Sequence, residues 1–285
     1  MYNFQRTVGA QCMIDEIIQM FSYSFMIRAF ITGIFISACA SIIGVNLVLK
    51  HYSMMGDGLS HVAFGVLALS VALKKSPLIF SLPVVVISAF LLLSLSNNTK
   101  LRSDSAIALL STGSLAVGVM ILSVTTGMNT DVCNYLFGSI LGMKVSDMYI
   151  TIAVCSVIFI TYVCLYSKFF VVTFDEHYAT ALGLNVKILN MLLAMICAVI
   201  IVLGLKMMGA LLISNLIVLP AICAMTVLKS YKSVVIYSLI LSIVTFSSGL
   251  FTSYLFSTPT GASIVLINVF LFVLHIVIGK LGLIK

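Results

Sequence analysis

The chain is a succession of apolar runs of membrane-spanning length. They fall near residues 25–49, 56–73, 78–96, 106–126, 147–167, 187–207, 209–228, 233–256 and 261–281. About 20 apolar residues in a helix cross the hydrocarbon core of a bilayer. In lipid every backbone polar group must be bonded internally, which leaves helices or a closed barrel. Barrel strands alternate apolar and polar residues; these runs do not, so the fold class is all-α. The reading is a polytopic helical membrane protein with about eight to ten transmembrane helices. A shorter apolar piece, Val132 to Gly142, reads as a re-entrant or interfacial segment. No soluble domain interrupts the series, so residues 25–285 form one membrane domain. Residues 1–24 contain Arg6, Asp15 and Glu16 and lack the apolar core of a signal peptide. They read as an interfacial helix over Ile14 to Phe21 or as disordered chain.

Charge supports the same class. Of 285 residues 62% are hydrophobic and 8% charged, a balance outside that of soluble domains. The net charge of +7 reports topology rather than a nucleic-acid partner, because Lys and Arg collect on the cytoplasmic side of short loops. Lys50, Lys100 with Arg102, Lys168, Lys229 with Lys232, and Lys280 with Lys285 occupy alternate loops if 168–185 is cytoplasmic. Lys74, Lys75 and Lys144 then fall outside, and nine spans put the amino terminus outside too. The seven cysteines form no CxxC pair or Cys/His cluster, so no zinc-finger or redox motif follows.

Against this background the stretch Met54 to Gly65 stands out. Asp57 is the acid that falls within a span, and His61 lies four residues on, on the same face if the stretch is helical. Carboxylate and imidazole are both ligands for zinc or manganese. An ionisable group at membrane depth costs about 2.5–3.5 kcal/mol on insertion scales and marks a pathway. The competing reading makes Asp57 a helix cap and His61 a packing residue. Elsewhere, His177 sits beside two acids on a solvated loop, and His275 reads as a hydrogen-bonded interior residue. Asn46 and Asn215 read as helix–helix hydrogen-bonding groups. Pro220 predicts a broken or bent helix within 209–228.

The longest polar loop, about 168–186, has a pattern of its own. Asp175 can cap a short helix with acids in its first turn, and Gly183 can end it. Such a helix on the cytoplasmic face can dock in a partner's groove or be a plain surface helix. Absent motifs narrow the chemistry. There is no GxxxxGK[ST] to bind ATP, no HExxH and no GxSxG elbow. These absences argue against ATP hydrolysis, zinc proteolysis and serine-hydrolase chemistry in the chain.

Several blocks in order resemble the membrane permease of bacterial ABC importers for zinc and manganese. Ser22 to Phe30 resembles the family's opening. Gly56-Asp57-Gly58-Leu59-Ser60-His61 is similar to its GDxLSH signature, and Tyr135 to Leu141 to its YLFGxIL block. Phe174, Asp175, Ala179 and Gly183 fall on the FDxxxAxxxG loop. Met208 to Ala221 and Pro259 to Leu266 resemble the VGALLxxxLLVLPAA and PxGAxIVL blocks. Two positions depart: Ala108 where the family often has glycine, and Cys223 where small or hydroxyl residues are common. Both read as packing changes.

The resemblance implies an ABC importer permease architecture in the cell membrane. It implies Asp57 and His61 on the metal pathway, and the 168–186 loop as the contact for a cytoplasmic ATP-binding subunit. Further implied partners are a second copy of the chain and an extracellular metal-binding protein. No permanently bound cofactor is expected; Zn2+ or Mn2+ is cargo. Zinc is favoured over manganese, because imidazole is half of the Asp/His pair. An ion-coupled secondary transporter would require more intramembrane acids. A siderophore- or cobalamin-type permease would require a wide uncharged path.

Overall fold

A computed structural model describes residues 19–75, 77–98, 103–126 and 145–280. Among them every element of regular secondary structure is a helix. The helices are α1 (Ser24–Leu49), α2 (Ser53–Ala72), α3 (Pro77–Asn98), α4 (Ser103–Thr126), α5 (Val145–Cys164), α6 (Tyr166–Phe174), α7 (Glu176–Ala181), α8 (Val186–Met208), α9 (Ala210–Val227), α10 (Tyr231–Phe256) and α11 (Thr260–Lys280). Eight of these are long and apolar enough to cross a membrane, and α3 carries a shorter apolar stretch, Phe80–Ser94. Each apolar run of the sequence falls in one helix, except that the run 147–167 divides at Leu165 between α5 and α6. The Val132 to Gly142 piece and the Tyr135 to Leu141 block lie outside the described residues. So do residues 1–18 of the amino-terminal segment. Where that segment is described it packs on the bundle: Met20 is fully buried, and the Phe21 ring lies 5.4 Å from that of Phe30 and 6.1 Å from that of Phe251.

The centre of the bundle is α1, which packs against α5, α8, α9 and α10. Small residues let its neighbours approach, as in other lipid-embedded helix pairs. A Cβ on Gly44 would overlap the backbone carbonyl of Ile217 on α9. Ile217 in turn touches the position a Cβ would take on Gly56 of α2. One α9 residue thus holds α9 against both α1 and α2, which puts α9 beside the Asp57 stretch. Helices α2 and α4 pack closely in the same way, with Gly65 under the Ser114 carbonyl.

The chain between α8 and α9 is a single residue. Gly209 has φ 84° and ψ 163°, a conformation open in practice to glycine alone. Of the broken or bent helix predicted at Pro220, the break is not there: α9 runs continuously through Pro220, and the discontinuity falls at Gly209. The 168–186 loop also differs from expectation. It contains two helices, because Tyr166–Phe174 forms α6 by burying Phe169 and Val172.

Candidate functional site

Helix α2 begins after Tyr52, and no side chain caps it. Asp57 therefore lies inside the helix, about 6 Å along it from Ser53, and the capping alternative is removed. The adjacent Ser60 bonds to the Gly56 carbonyl of its own helix at 2.7 Å. Asp57 Oδ1 stands 3.7 Å from His61 Nε2, with the Asp57 side chain 53% exposed and that of His61 24%. That separation is too long for a hydrogen bond. It is close to the roughly 3.3–3.5 Å between two ligands of one tetrahedral zinc at normal bond lengths. His61 Nδ1 is buried without a partner among the described residues.

Asp57 borders an open cavity of about 330 Å³ between α2 and α9, shared with Ser53, Ser214, Asn215 and Val265. Asn215 was expected to bond another helix. Instead its Oδ1 is buried with no partner among the described residues. Sequence reasoning passed over it as a site residue, and the signal available was its place near the start of α9 within an otherwise apolar run. Among the described residues no third His, Cys, Asp or Glu joins the pair to make a metal cluster. A second groove, about 520 Å³, runs between α2 and α4 and is lined without an ionisable group.

Phe174, Asp175, Ala179 and Gly183 fall into a defined local structure. Phe174 ends α6, exposed, its ring 5.0 Å from Phe170 and 5.9 Å from Tyr231. Asp175 is the N-cap of α7, its Oδ1 accepting from the Tyr178 N–H at 2.9 Å. Ala179 is the buried residue of that helix. Gly183, at φ 78°, ends it, donating to Thr180 O while Leu184 donates to Ala179 O. Tyr178 and Leu182 are exposed, so the segment shows an apolar ridge with Phe174.

The segment is tied to the bundle by Lys50, at the end of α1. Its Nζ lies 2.6 Å from Glu176 Oε1 and 2.6 Å from Asn190 Oδ1, and Asn190 donates to Glu176 at 3.0 Å. Partial burial pushes the Glu176 carboxyl up, but the hydrogen bonds from Lys50 and Asn190 and the Lys50 charge outweigh it. The group is held below its ordinary 4.5.

Several other polar residues join helices to one another. Asn46 donates to Tyr162 Oη at 3.0 Å and accepts from Thr173 at 3.0 Å and Tyr231 at 2.8 Å, joining α1, α5, α6 and α10. His275 Nδ1 donates to Leu271 O at 2.7 Å, and Nε2 lies 2.8 Å from the Tyr237 hydroxyl. It is a satisfied interior histidine, as read from the sequence. His177 is exposed on α7. Asp147, in the first turn of α5, pairs with Lys206 at 2.7 Å.

A family model described as the ABC 3 transport family matches residues 22–279. The chain belongs to the ABC 3 transport family. Among curated relatives, it is 29% identical over 255 residues to the high-affinity zinc uptake system membrane protein ZnuB of Haemophilus influenzae, covering 89% of this chain and 97% of that one. It is 30% identical over 268 residues to the manganese import system permease protein ScaB of Streptococcus gordonii, covering 94% and 96%. Among solved structures, it superposes on a chain of PsaBC from Streptococcus pneumoniae in complex with Fab. That match has a TM-score of 0.83 and 29% identity, over 92% of this chain and 94% of the other. This ABC 3 family chain is a multi-pass helical membrane protein with the ABC permease fold.

Proposed function

We propose that the chain is the permease of an ABC importer that takes up a divalent metal ion, with zinc ahead of manganese. The observation that carries this reading is Asp57, half exposed beside a cavity with His61 one turn above it on α2. A carboxylate turned to hydrocarbon is costly. A second copy related by two-fold symmetry would cover this face and repeat both ligands. Two carboxylates and two imidazoles then complete a four-ligand shell, or each half-shell is finished by water. The Asp57 charge makes a dehydrated dication tolerable, and a half-shell per copy binds weakly enough to release it.

ATP is hydrolysed on a separate cytoplasmic subunit seated on the Phe174, Tyr178 and Leu182 ridge. An extracellular metal-binding protein supplies the ion. Alternating access is driven by the ATPase cycle, with the permease switching between two states that bind the ion differently. The imidazole favours zinc. Manganese is the second reading, supported by the name of the Streptococcus gordonii relative and by the oxygen groups of Ser214 and Asn215 on the cavity.

The test is ion uptake into proteoliposomes containing the chain with its ATP-binding subunit. ATP-dependent accumulation of zinc or manganese, lost in Asp57→Asn at normal expression and dimer content, is the expected result. Uptake driven by an ion gradient without ATP would make the chain a secondary transporter. Uptake of a chelated metal but not the free ion would make it a siderophore-type permease.

A further inference from the structure

We infer that Asn215 is the residue that opens this pathway to manganese, by giving an amide oxygen to the ion held at Asp57; the inference rests on the metal-import reading above. Asn215 lies on α9 and shares the 330 Å³ cavity with Asp57 of α2. Neither end of its amide makes a hydrogen bond among the described residues, and Oδ1 is shut off from solvent without a partner. A buried polar atom without a partner costs about 1–3 kcal/mol, so an unpaired amide beside a carboxylate calls for a reason.

The other cavity hydroxyl offers no relief, because Ser214 bonds back to Ala210 O and Leu211 O, each at 3.3 Å. The terminal torsion of asparagine is broad and two-fold. With no hydrogen bond holding either end, a half-turn that brings the carbonyl oxygen into the cavity breaks no hydrogen bond. A neutral oxygen adds a ligand without adding charge. Zinc is served by the carboxylate and imidazole; manganese prefers oxygen and a fuller shell. The close seat of Ile217 against Gly44 and Gly56 fixes the height of Asn215 relative to Asp57.

The experiment compares Zn2+ and Mn2+ uptake by wild type, Asn215→Ala, Asn215→Asp and Asp57→Asn in the assembled transporter in proteoliposomes. Dimer content is measured by size-exclusion chromatography. Asn215→Ala is expected to lose manganese uptake on the order of tenfold, the scale on which metal sites respond to a lost supporting group, with zinc uptake near wild type. Asn215→Asp, which keeps an oxygen in place, is expected to retain manganese uptake. An unchanged Zn2+/Mn2+ ratio in Asn215→Ala overturns the inference and leaves metal import standing. Loss of dimer in Asn215→Ala also overturns it, since the amide would then bridge the two copies. Wild-type uptake of both ions by Asp57→Asn removes Asp57 as the ion's ligand and this inference with it, whereas failure of the wild type to take up either ion with ATP removes the import reading itself.

Discussion

Lys50 Nζ and Glu176 Oε1, 126 residues apart in sequence, meet at 2.6 Å. The pair fastens the end of α1 to the short helix α7. Helix α1 is the hub of the bundle, and α7 carries the surface proposed to meet the ATPase. Movement of α7 is therefore felt by α1 directly, and through Asn190 by the start of α8.

Loss of this tie has a pH signature. The Glu176 carboxyl is held below its ordinary 4.5, so the pair stabilises the fold fully above that value. The contribution is lost as pH falls through the lower folded-state value. Glu176→Gln should remove the part of the acid-induced loss of thermal stability that lies below about pH 4.5. Melting curves of both proteins in detergent, taken down the carboxylate range, check this. Curves that stay parallel throughout would show that the pair adds nothing.

Asp57→Asn should abolish metal uptake, because the neutral amide no longer offsets the charge of a partly dehydrated dication. His61→Ala should weaken uptake or shift preference toward oxygen-loving ions. His275→Ala should leave transport near wild type, since its ring is engaged by Tyr237 and Leu271. Uptake at the wild-type rate in Asp57→Asn would falsify the pathway assignment.

Asp175→Ala and Gly183→Pro each break one end of α7. The first removes the cap on Tyr178 N–H, worth about 1 kcal/mol. The second places a proline at φ 78°, which its ring forbids, and removes the bond to Thr180 O. Both should lower transport and stimulated ATP hydrolysis together while metal binding in the membrane is spared. Intact coupling in both variants would move the ATPase contact elsewhere.

Asn46→Leu should destabilise the bundle by about 2 kcal/mol. Four hydrogen bonds of the Asn46 side chain are lost, three of them to other helices, and in membrane proteins each interhelical one averages about 0.6 kcal/mol and reaches about 1.7. Gly44→Val should do at least as much harm, because the new side chain meets the Ile217 backbone rather than a movable side chain. Denaturant titration of the purified protein reads both, and a Gly44→Val protein as stable as wild type would contradict the packing described for α1 and α9.

What was legible in the sequence was local. Apolar run length determines the number and place of the spanning helices, because lipid requires each segment to satisfy its own backbone. The spacing of Asp57 and His61 determines that they share a helix face, and Asp175 with Gly183 delimits α7, because caps act within one turn. The tertiary structure decided everything that depends on which helices meet. Pairing of Lys50 with Glu176, the Asn46 network and the cavity that joins Asn215 to Asp57 all link residues more than 100 positions apart. Apolar periodicity carries no record of such meetings, since one lipid-compatible face resembles another. Here they follow from close approaches at Gly44 and Gly56, where missing side chains admit Ile217, and from Gly209, whose positive φ turns α9 back beside α2.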